Sequence, residues 1–162
     1  MVNYNYLKNY SFEADENRTV IPTDWILNRI IEADELYVED KQTDSLSGNR
    51  HYHFWSKNKD SIEFELEQEV NDLKAGDYAF SISIMGGDAG ETEIYAYIKK
   101  NDQIVQKAPM KITSYNNWDT GKIDFEYNGD DNLKVGIYVR CAGEGSGAWG
   151  KIDDALLNRI GE

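Results

Sequence analysis

Hydrophobic and polar residues alternate with a period of two along most of the chain, and the 3.6-residue period of an amphipathic helix is not found. Segments with this alternation that are also rich in β-branched and aromatic residues predict strands. They are HYHFW (51–55), SIEFELEQEV (61–70), YAFSISIM (78–85), EIYAYIKK (93–100), KIDFEY (122–127) and LKVGIYVRC (133–141). Between them lie segments typical of turns, such as LKAGDY and NGDDN. Short strands joined by such turns predict an all-β protein, an antiparallel β-sandwich.

One segment does not fit a single period. DWILNRIIEADELYVED (24–40) has mixed periodicity and is compatible with strand or with a short helix. No internal repeat, low-complexity tract or linker divides the chain. Its 162 residues match the size of one domain with a sizeable core, so we predict a single domain over residues 1–162.

The predicted strands carry unusual side chains on the face opposite their apolar one. His51, His53 and Trp55 point away from Tyr52 and Phe54, because successive side chains of a strand alternate between faces. By the same count, YAFSISIM offers small residues on its second face, and LKVGIYVRC offers Tyr138 and Arg140. If these strands are neighbours, their second faces form a groove with a floor of small residues and aromatic walls.

Such a groove suits a carbohydrate. A pyranose ring has an apolar face that stacks on Trp or Tyr and a fringe of hydroxyls that pairs with planar polar groups. The chain has 4 Trp and 11 Tyr, which is more than a small core can usually bury with every polar tip satisfied. Trp25 is assigned to packing, and the glycine-rich loop GEGSGAWG (143–150) predicts a second exposed tryptophan. The candidate sugar contacts are Trp55, His53, His51, Arg50, Arg140, Tyr138, Trp149 and Trp118.

Charge and composition exclude several other classes of partner. Thirty acidic residues against 17 basic ones give a net charge of −13, which repels nucleic acid and anionic membranes. No apolar run reaches the roughly 18 residues of a membrane span. The N-terminus MVNYNYLKNYSFE lacks the apolar core of a signal peptide, so an exported parent protein would imply an excised piece or a mature form. Cys141 is the single cysteine and cannot form an internal disulfide.

Catalysis is not predicted, because no catalytic motif is present. The sequence has no GxSxG, HExxH or CxxC pattern, and His51 and His53 lack an evident third zinc ligand. Two carboxylates suffice for a glycoside hydrolase. However, Glu63, Glu65 and Glu67 alternate along one strand, which is typical of a solvated strand face.

Five blocks of the sequence resemble a known family. In order, NYSFEAD, IPTDW, SGNRHYHFWS, FELEQEVNDLKAGDYAFSISIMGGD and GAWGKIDDALL resemble carbohydrate-binding modules of the galactose-binding-like β-sandwich superfamily. The chain is most similar to module family 61, whose members bind β-1,4-galactan and are appended to family 53 endo-β-1,4-galactanases.

That resemblance carries several expectations. It implies a jelly-roll sandwich that binds β-1,4-galactan or galacto-oligosaccharides without catalysis. It also implies a monomeric module covalently linked to a catalytic domain, such as an arabinogalactan endo-β-1,4-galactanase, secreted by a polysaccharide-degrading bacterium. The alternatives are a related module that binds xylan, β-glucan or mannan, and a structural or adhesion sandwich that binds no sugar.

The resemblance also implies a structural calcium ion. Related modules hold it with the Glu of the first block, an Asp of the last block and carbonyls of the loop that corresponds to SLSGN (45–49). In this chain the matching residues are Glu13 and either Asp153 or Asp154. Carboxylates and carbonyls are the ligands that Ca²⁺ prefers, and an ion there would join the two ends of the chain.

Overall fold

The computed structural model describes residues 4–57, 61–145 and 147–161, and over these residues the chain is an antiparallel β-sandwich. The strands are β1 (Ile26–Ile31), β2 (Glu35–Asp40), β3 (Arg50–Trp55), β4 (Ser61–Val70), β5 (Gly76–Gly87), β6 (Ala89–Lys100), β7 (Gln103–Met110), β8 (Asp119–Tyr127), β9 (Leu133–Gly143) and β10 (Trp149–Arg159). One 3₁₀ turn covers Gln42–Asp44. The first sheet has the order β1-β4-β9-β6-β7 and the second sheet β2-β3-β10-β5-β8. The predicted fold class is therefore confirmed.

The alternating segments all form strands, and the ambiguous segment 24–40 forms two, β1 and β2. Two further strands were not predicted. Strand β7 contains Pro109, and it lies at the edge of the first sheet, where a missing N–H donor is tolerated. Strand β10 is obscured in the sequence because a register shift between Asp153 and Leu156 interrupts its alternation.

The inner faces of the two sheets form one apolar core. The large side chains predicted to point inward on β5 are at most 1% exposed, and those on β9 are fully buried. They are Tyr78, Phe80, Ile82 and Ile84 on β5, and Val135, Ile137 and Val139 on β9. The assignment of Trp25 to packing is confirmed, since it is 4% exposed and stacks on Phe12 with ring centroids 5.2 Å apart.

The N-terminal segment, residues 4–25, forms no strand but joins the two sheets. The backbone N–H of Tyr6 donates to the Leu157 carbonyl of β10 at 2.8 Å. On the first sheet, the Lys8 N–H donates to Gln68 Oε1 and Gln68 Nε2 donates to the Lys8 carbonyl, both at 2.8 Å. In the described part of the chain, no helix is long and apolar enough to cross a membrane.

The strand order corrects one sequence prediction. Strand β9 belongs to the first sheet, whereas β3 and β5 belong to the second. Tyr138 and Arg140 of β9 therefore lie on the opposite outer face of the sandwich from His53 and Trp55 of β3. The prediction of one groove shared by these side chains is wrong, because alternation sets the face of a strand but not the sheet that the strand joins.

Candidate ligand-binding site

Two tryptophans lie side by side at one end of the second sheet. Trp55, the last residue of β3, pairs with Trp149, the first residue of β10, and both side chains are half-buried on the outer face. On the other side of Trp149, the partner on β5 is Gly87. A Cβ at Gly87 would lie 3.2 Å from Trp149 Nε1, so the absence of a side chain leaves room for the indole ring to lie over the sheet.

A tyrosine from the loop between β7 and β8 extends this aromatic surface. The Tyr115 ring is 50% exposed and its centroid lies 6.5 Å from that of Trp149. Its hydroxyl donates to Asp44 Oδ1 at 2.8 Å, and the backbone N–H of Asn116 donates to Met85 Sδ at 3.2 Å. These contacts place the loop across the outer face of the second sheet. We call the surface formed by Trp55, Trp149 and Tyr115 the tryptophan face.

Sequence reasoning selected Trp118 in this loop and missed Tyr115. Trp118 is half-buried immediately before β8. The signal for Tyr115 was its position in SYNNW, an aromatic residue among turn formers that belongs to no alternating segment. Its role depends on the contact with Asp44, which is 71 residues distant in sequence and cannot be read from local pattern.

Next to the tryptophans on the same face lies a buried polar network. Lys151 Nζ donates to Glu39 Oε1 and to His53 Nδ1, both at 2.6 Å. His53 therefore carries its proton on Nε2, which donates to Glu35 Oε1 at 2.7 Å. Burial lowers the pKa of His53, and the charge of Lys151 lowers it further. At 6% exposure with both ring nitrogens bonded, His53 supports the tryptophan face and is not itself an open ligand contact.

His51 belongs to the same network. It is fully buried, its Nε2 donates to Glu39 Oε1 at 2.8 Å, and its Nδ1 lies 2.9 Å from Ser45 Oγ. Burial alone would raise the pKa of Glu39, but hydrogen bonds from His51 and Lys151 outweigh it and hold that pKa below its ordinary value. The expectation that His51 faces a ligand is wrong, because none of its surface is accessible.

Arg50 lies at the other end of β3. Its Nη2 lies 3.3 Å from Asp40 Oδ2, and its backbone N–H donates to Glu13 Oε2 at 2.8 Å. Arg50 and Trp55 are separated by the full length of the strand. Arg50 is therefore not part of the tryptophan face.

The outer face of the first sheet has its own aromatic cluster, Tyr95, Tyr97 and Tyr138, which we call the tyrosine face. The rings of Tyr95 and Tyr138 stack with centroids 4.8 Å apart, and all three residues are at most 9% exposed. The Tyr138 hydroxyl donates to Glu63, and Lys107 Nζ lies 4.6 Å from the Tyr95 ring centroid. These rings are thus covered by their own neighbours.

The carboxylates of β4 are part of this arrangement. Lys99 Nζ donates to Glu65 at 2.9 Å and to Glu67 at 2.7 Å, and the Tyr97 hydroxyl also donates to Glu67 at 2.7 Å. Burial alone would lower the pKa of Lys99, but the two carboxylates outweigh it and raise that pKa. Glu67 is 2% exposed. The prediction that Glu63, Glu65 and Glu67 form a solvated face is wrong for Glu67, which is buried, whereas Glu63 and Glu65 are partly exposed.

The residues predicted to hold calcium converge on one loop. Glu13 accepts N–H groups from Asn49 and Arg50, and Asp153 Oδ2 accepts those of Leu46 and Ser47. Ser47 also donates to Asp154. The two ends of the chain therefore meet at the segment SLSGN.

The chemistry of this loop fits a cation better than its geometry does. The atoms that could ligate a metal ion here are all oxygens. Asp153 is fully buried, and burial raises the pKa of its carboxyl to about 8. A bound cation would compensate the negative charge of the ionised Asp153 carboxylate. However, the carboxylate oxygens point at N–H donors, and among the described residues no three His, Cys, Asp or Glu side chains are grouped to hold a metal ion. Calcium stays a prediction.

Comparisons with known proteins support the fold. No protein-family model and no curated protein matches the chain. Among solved structures, the chain is similar to TmCBM61 in complex with β-1,4-galactotriose, with a TM-score of 0.76, 24% identity, and coverage of 96% of this chain and 99% of that one. The sequence resemblance is thus confirmed at the level of the fold.

Two further similarities point to the same architecture. The C-terminal family 22 carbohydrate-binding module of Clostridium thermocellum Xyn10B matches with a TM-score of 0.62 and 12% identity, covering 97% of this chain and 96% of that one. Part of an arabinose-bound α-L-arabinofuranosidase, MgGH51, matches with a TM-score of 0.63 and 16% identity, covering 95% of this chain and 26% of that one. The fold is that of carbohydrate-binding β-sandwich modules.

Proposed function

We propose that this chain is a non-catalytic carbohydrate-binding module that binds β-1,4-galactan or galacto-oligosaccharides on the tryptophan face. The observation that carries the proposal is the pairing of Trp55 with Trp149 on adjacent strands, extended by the half-exposed ring of Tyr115. The similarity to a module solved with β-1,4-galactotriose supports galactan as the ligand.

The chemistry of this surface matches a pyranose. Indole and phenol rings stack on the apolar face of a sugar and bury it from water. Polar groups lie at the edge of the aromatic surface, where sugar hydroxyls need donors and acceptors. Asn116 is exposed next to Tyr115, and Glu35 is half-buried opposite Trp55 on β2.

The mechanism that follows is tethering. A module that holds a linked glycoside hydrolase on its polysaccharide raises the local substrate concentration without chemistry of its own. We propose a covalently linked enzyme, such as a secreted bacterial galactanase, as the partner and a monomer as the working state.

Isothermal titration tests the proposal, with β-1,4-galactotriose compared against xylotriose, cellotriose and mannotriose. Galactotriose should bind best, and Trp149→Ala should abolish most of its affinity. Arg140→Ala, which removes a half-buried side chain on the opposite face, is the matched control and should leave affinity unchanged. Equal loss in both variants, or no binding of any sugar, would contradict the proposal.

Xylan is the second candidate ligand. A xylan-binding domain of module family 22 matches the chain with a TM-score of 0.61 and 12% identity. The same titration decides between the two ligands, because the axial O4 linkage of galactan and the absent C6 group of xylose require different contacts.

We also propose that a calcium ion stabilises the loop 45–49. Support comes from Glu13, Asp153 and Asp154, which reach this loop from the two ends of the chain. The ion would strengthen the fold and would lie away from the paired tryptophans, since this loop adjoins the Arg50 end of β3 and Trp55 is at the other end of that strand.

A further inference from the structure

A polar groove lies at the end of the sandwich opposite the tryptophan face. Its volume is about 600 Å³, and it lies between the N-terminal segment, the start of β1 and the end of β4. Tyr4, Tyr6, Lys8, Asp24, Gln68 and Asp72 are among its lining residues.

Tyr4 is the most exposed aromatic residue of the described chain and is nevertheless held in place. It is 71% exposed, and its ring meets that of Tyr6 edge to face with centroids 4.8 Å apart. Tyr6 in turn meets Tyr78, a core residue, at 5.8 Å and is fixed by its backbone bond to Leu157. The Tyr4 ring therefore contacts an anchored neighbour along its edge and presents an exposed aromatic surface to solvent at the groove.

The floor of the groove is closed and ordered. Gln68 is 3% exposed, and its side-chain amide exchanges two hydrogen bonds of 2.8 Å with the backbone of Lys8. Asp24 and Asp72 stand exposed at the rim, each on a backbone with positive φ, +70° and +61°. Carboxylates outnumber the single lysine among the lining residues, so the groove disfavours anions.

We propose that this groove is a second carbohydrate-binding site, which takes one or two neutral pyranose units through stacking on Tyr4 and hydrogen bonds from the rim. The ligand class rests on the proposed function, but the groove is separate from the tryptophan face. Strand β4 runs from one end of the sandwich to the other, and its 10 residues span about 30 Å. A trisaccharide therefore occupies one site at a time, whereas a polysaccharide can bind both and gain avidity.

The test is NMR titration of the ¹⁵N-labelled chain with β-1,4-galactotriose, in the wild type and in Trp149→Ala, Tyr4→Ala and Tyr10→Ala. Tyr10 is the control, since it is 48% exposed in the same N-terminal segment but does not line the groove. In Trp149→Ala, the amides around Tyr6 and Gln68 should still shift on titration. Tyr4→Ala should weaken that response at least about tenfold, a loss expected for one stacking ring, and Tyr10→Ala should not.

The outcomes separate the two proposals. If Trp149→Ala loses every shift while Tyr4→Ala binds as the wild type does, the second site is wrong and the proposed function stands. If Tyr4→Ala loses every shift and Trp149→Ala binds normally, the groove is a sugar site and the tryptophan face is not. Absence of any shift in the wild type overturns both proposals.

Discussion

The tyrosine face and the tryptophan face are each defined by three aromatic residues, but only the tryptophan face is open. On the tyrosine face, all three residues are at most 9% exposed, and the Tyr138 and Tyr97 hydroxyls are bonded to carboxylates of β4. On the tryptophan face, Tyr115 is 50% exposed and the two indole rings are half-buried. Aromatic content alone therefore does not identify a sugar-binding surface.

What separates the faces is how the polar groups around the rings are satisfied. Lys99, Glu65 and Glu67 pair with one another among the tyrosines and close that surface. On the second sheet, the buried Lys151 pairs with the partly exposed Glu39 in a separate network, and the two indole rings beside it are half-buried. The first arrangement stabilises the sheet, and the second leaves rings accessible to a ligand.

The largest expected effect comes from removing Trp149. Trp149→Ala should weaken galactotriose binding by roughly 30-fold or more, because aromatic anchors at binding surfaces contribute about 2 kcal/mol or more. Trp55→Ala should behave similarly. Isothermal titration measures both, and far-UV circular dichroism checks that the fold persists. Tyr95→Ala, on the tyrosine face, should retain affinity in whatever fraction stays folded, and its loss of affinity would reverse the comparison.

Removal of calcium should act on stability and spare the tryptophan face. An ion at 100 times its dissociation constant stabilises the native state by about 2.7 kcal/mol. In a domain of this size, a chelator should then lower the melting temperature by roughly 5–10 °C. An unchanged melting temperature in protein verified to be metal-free would reject the calcium site. Loss of sugar binding in protein that remains folded would place the ion at the ligand.

Loss of one hydroxyl on each face should separate stability from recognition. Tyr138→Phe removes the hydrogen bond to Glu63, and bonds to charged groups contribute about 1.5–3 kcal/mol. The melting temperature should fall by several degrees while sugar affinity is unchanged. Thermal denaturation and titration on the same sample measure the two effects, and a drop in affinity without a drop in stability would contradict the assignment.

Tyr115→Phe, on the tryptophan face, should lower sugar affinity and leave stability nearly unchanged. It keeps the ring but loses the bond to Asp44 that holds the loop across the second sheet. We expect galactotriose affinity to fall about three- to tenfold with little change in melting temperature, since the residue is half-exposed and one hydrogen bond is lost. Asp44→Asn, which can still bond the Tyr115 hydroxyl, is the matched control. Equal affinity in the wild type and Tyr115→Phe would show that the bond does not position the ring.

The smallest effect concerns pH and the network next to the tryptophans. Because burial lowers the pKa of His53 below the unfolded value of about 6.5, the unfolded chain takes up a proton first as pH falls. Stability contributed by neutral His53 is therefore present above that value and is lost as pH falls from 7 toward 5. His53→Gln should flatten the dependence of melting temperature on pH in this window. A dependence of melting temperature on pH that is the same in His53→Gln and the wild type would contradict the neutral assignment.

The sequence predicted the strands and their buried faces well, because a period of two is local. It failed where the answer depended on partners distant in the chain. Nothing local distinguishes Tyr138 from Trp55, yet β9 and β3 belong to different sheets. His51 and His53 have the spacing of exposed residues, but His53 is covered by Lys151, about 100 positions later, and His51 is bonded to Glu39 and Ser45. The glycine-rich loop before β10 predicted that Trp149 lies at a binding surface. The sequence did not show that the position of its ring depends on the absence of a side chain at Gly87.

The central claim is that the sugar meets the tryptophan face, and the indole N–H signals of the protein test it most directly. In a ¹⁵N-labelled sample titrated with β-1,4-galactotriose, the indole signals of Trp55 and Trp149 should shift together with one dissociation constant. The signal of Trp25, which is buried at the groove on the other end of the sandwich, reports on the second site and should follow a separate binding curve. Shifts confined to the backbone amides of β6 and β9, with both indoles unmoved, would place the ligand on the tyrosine face and contradict the account.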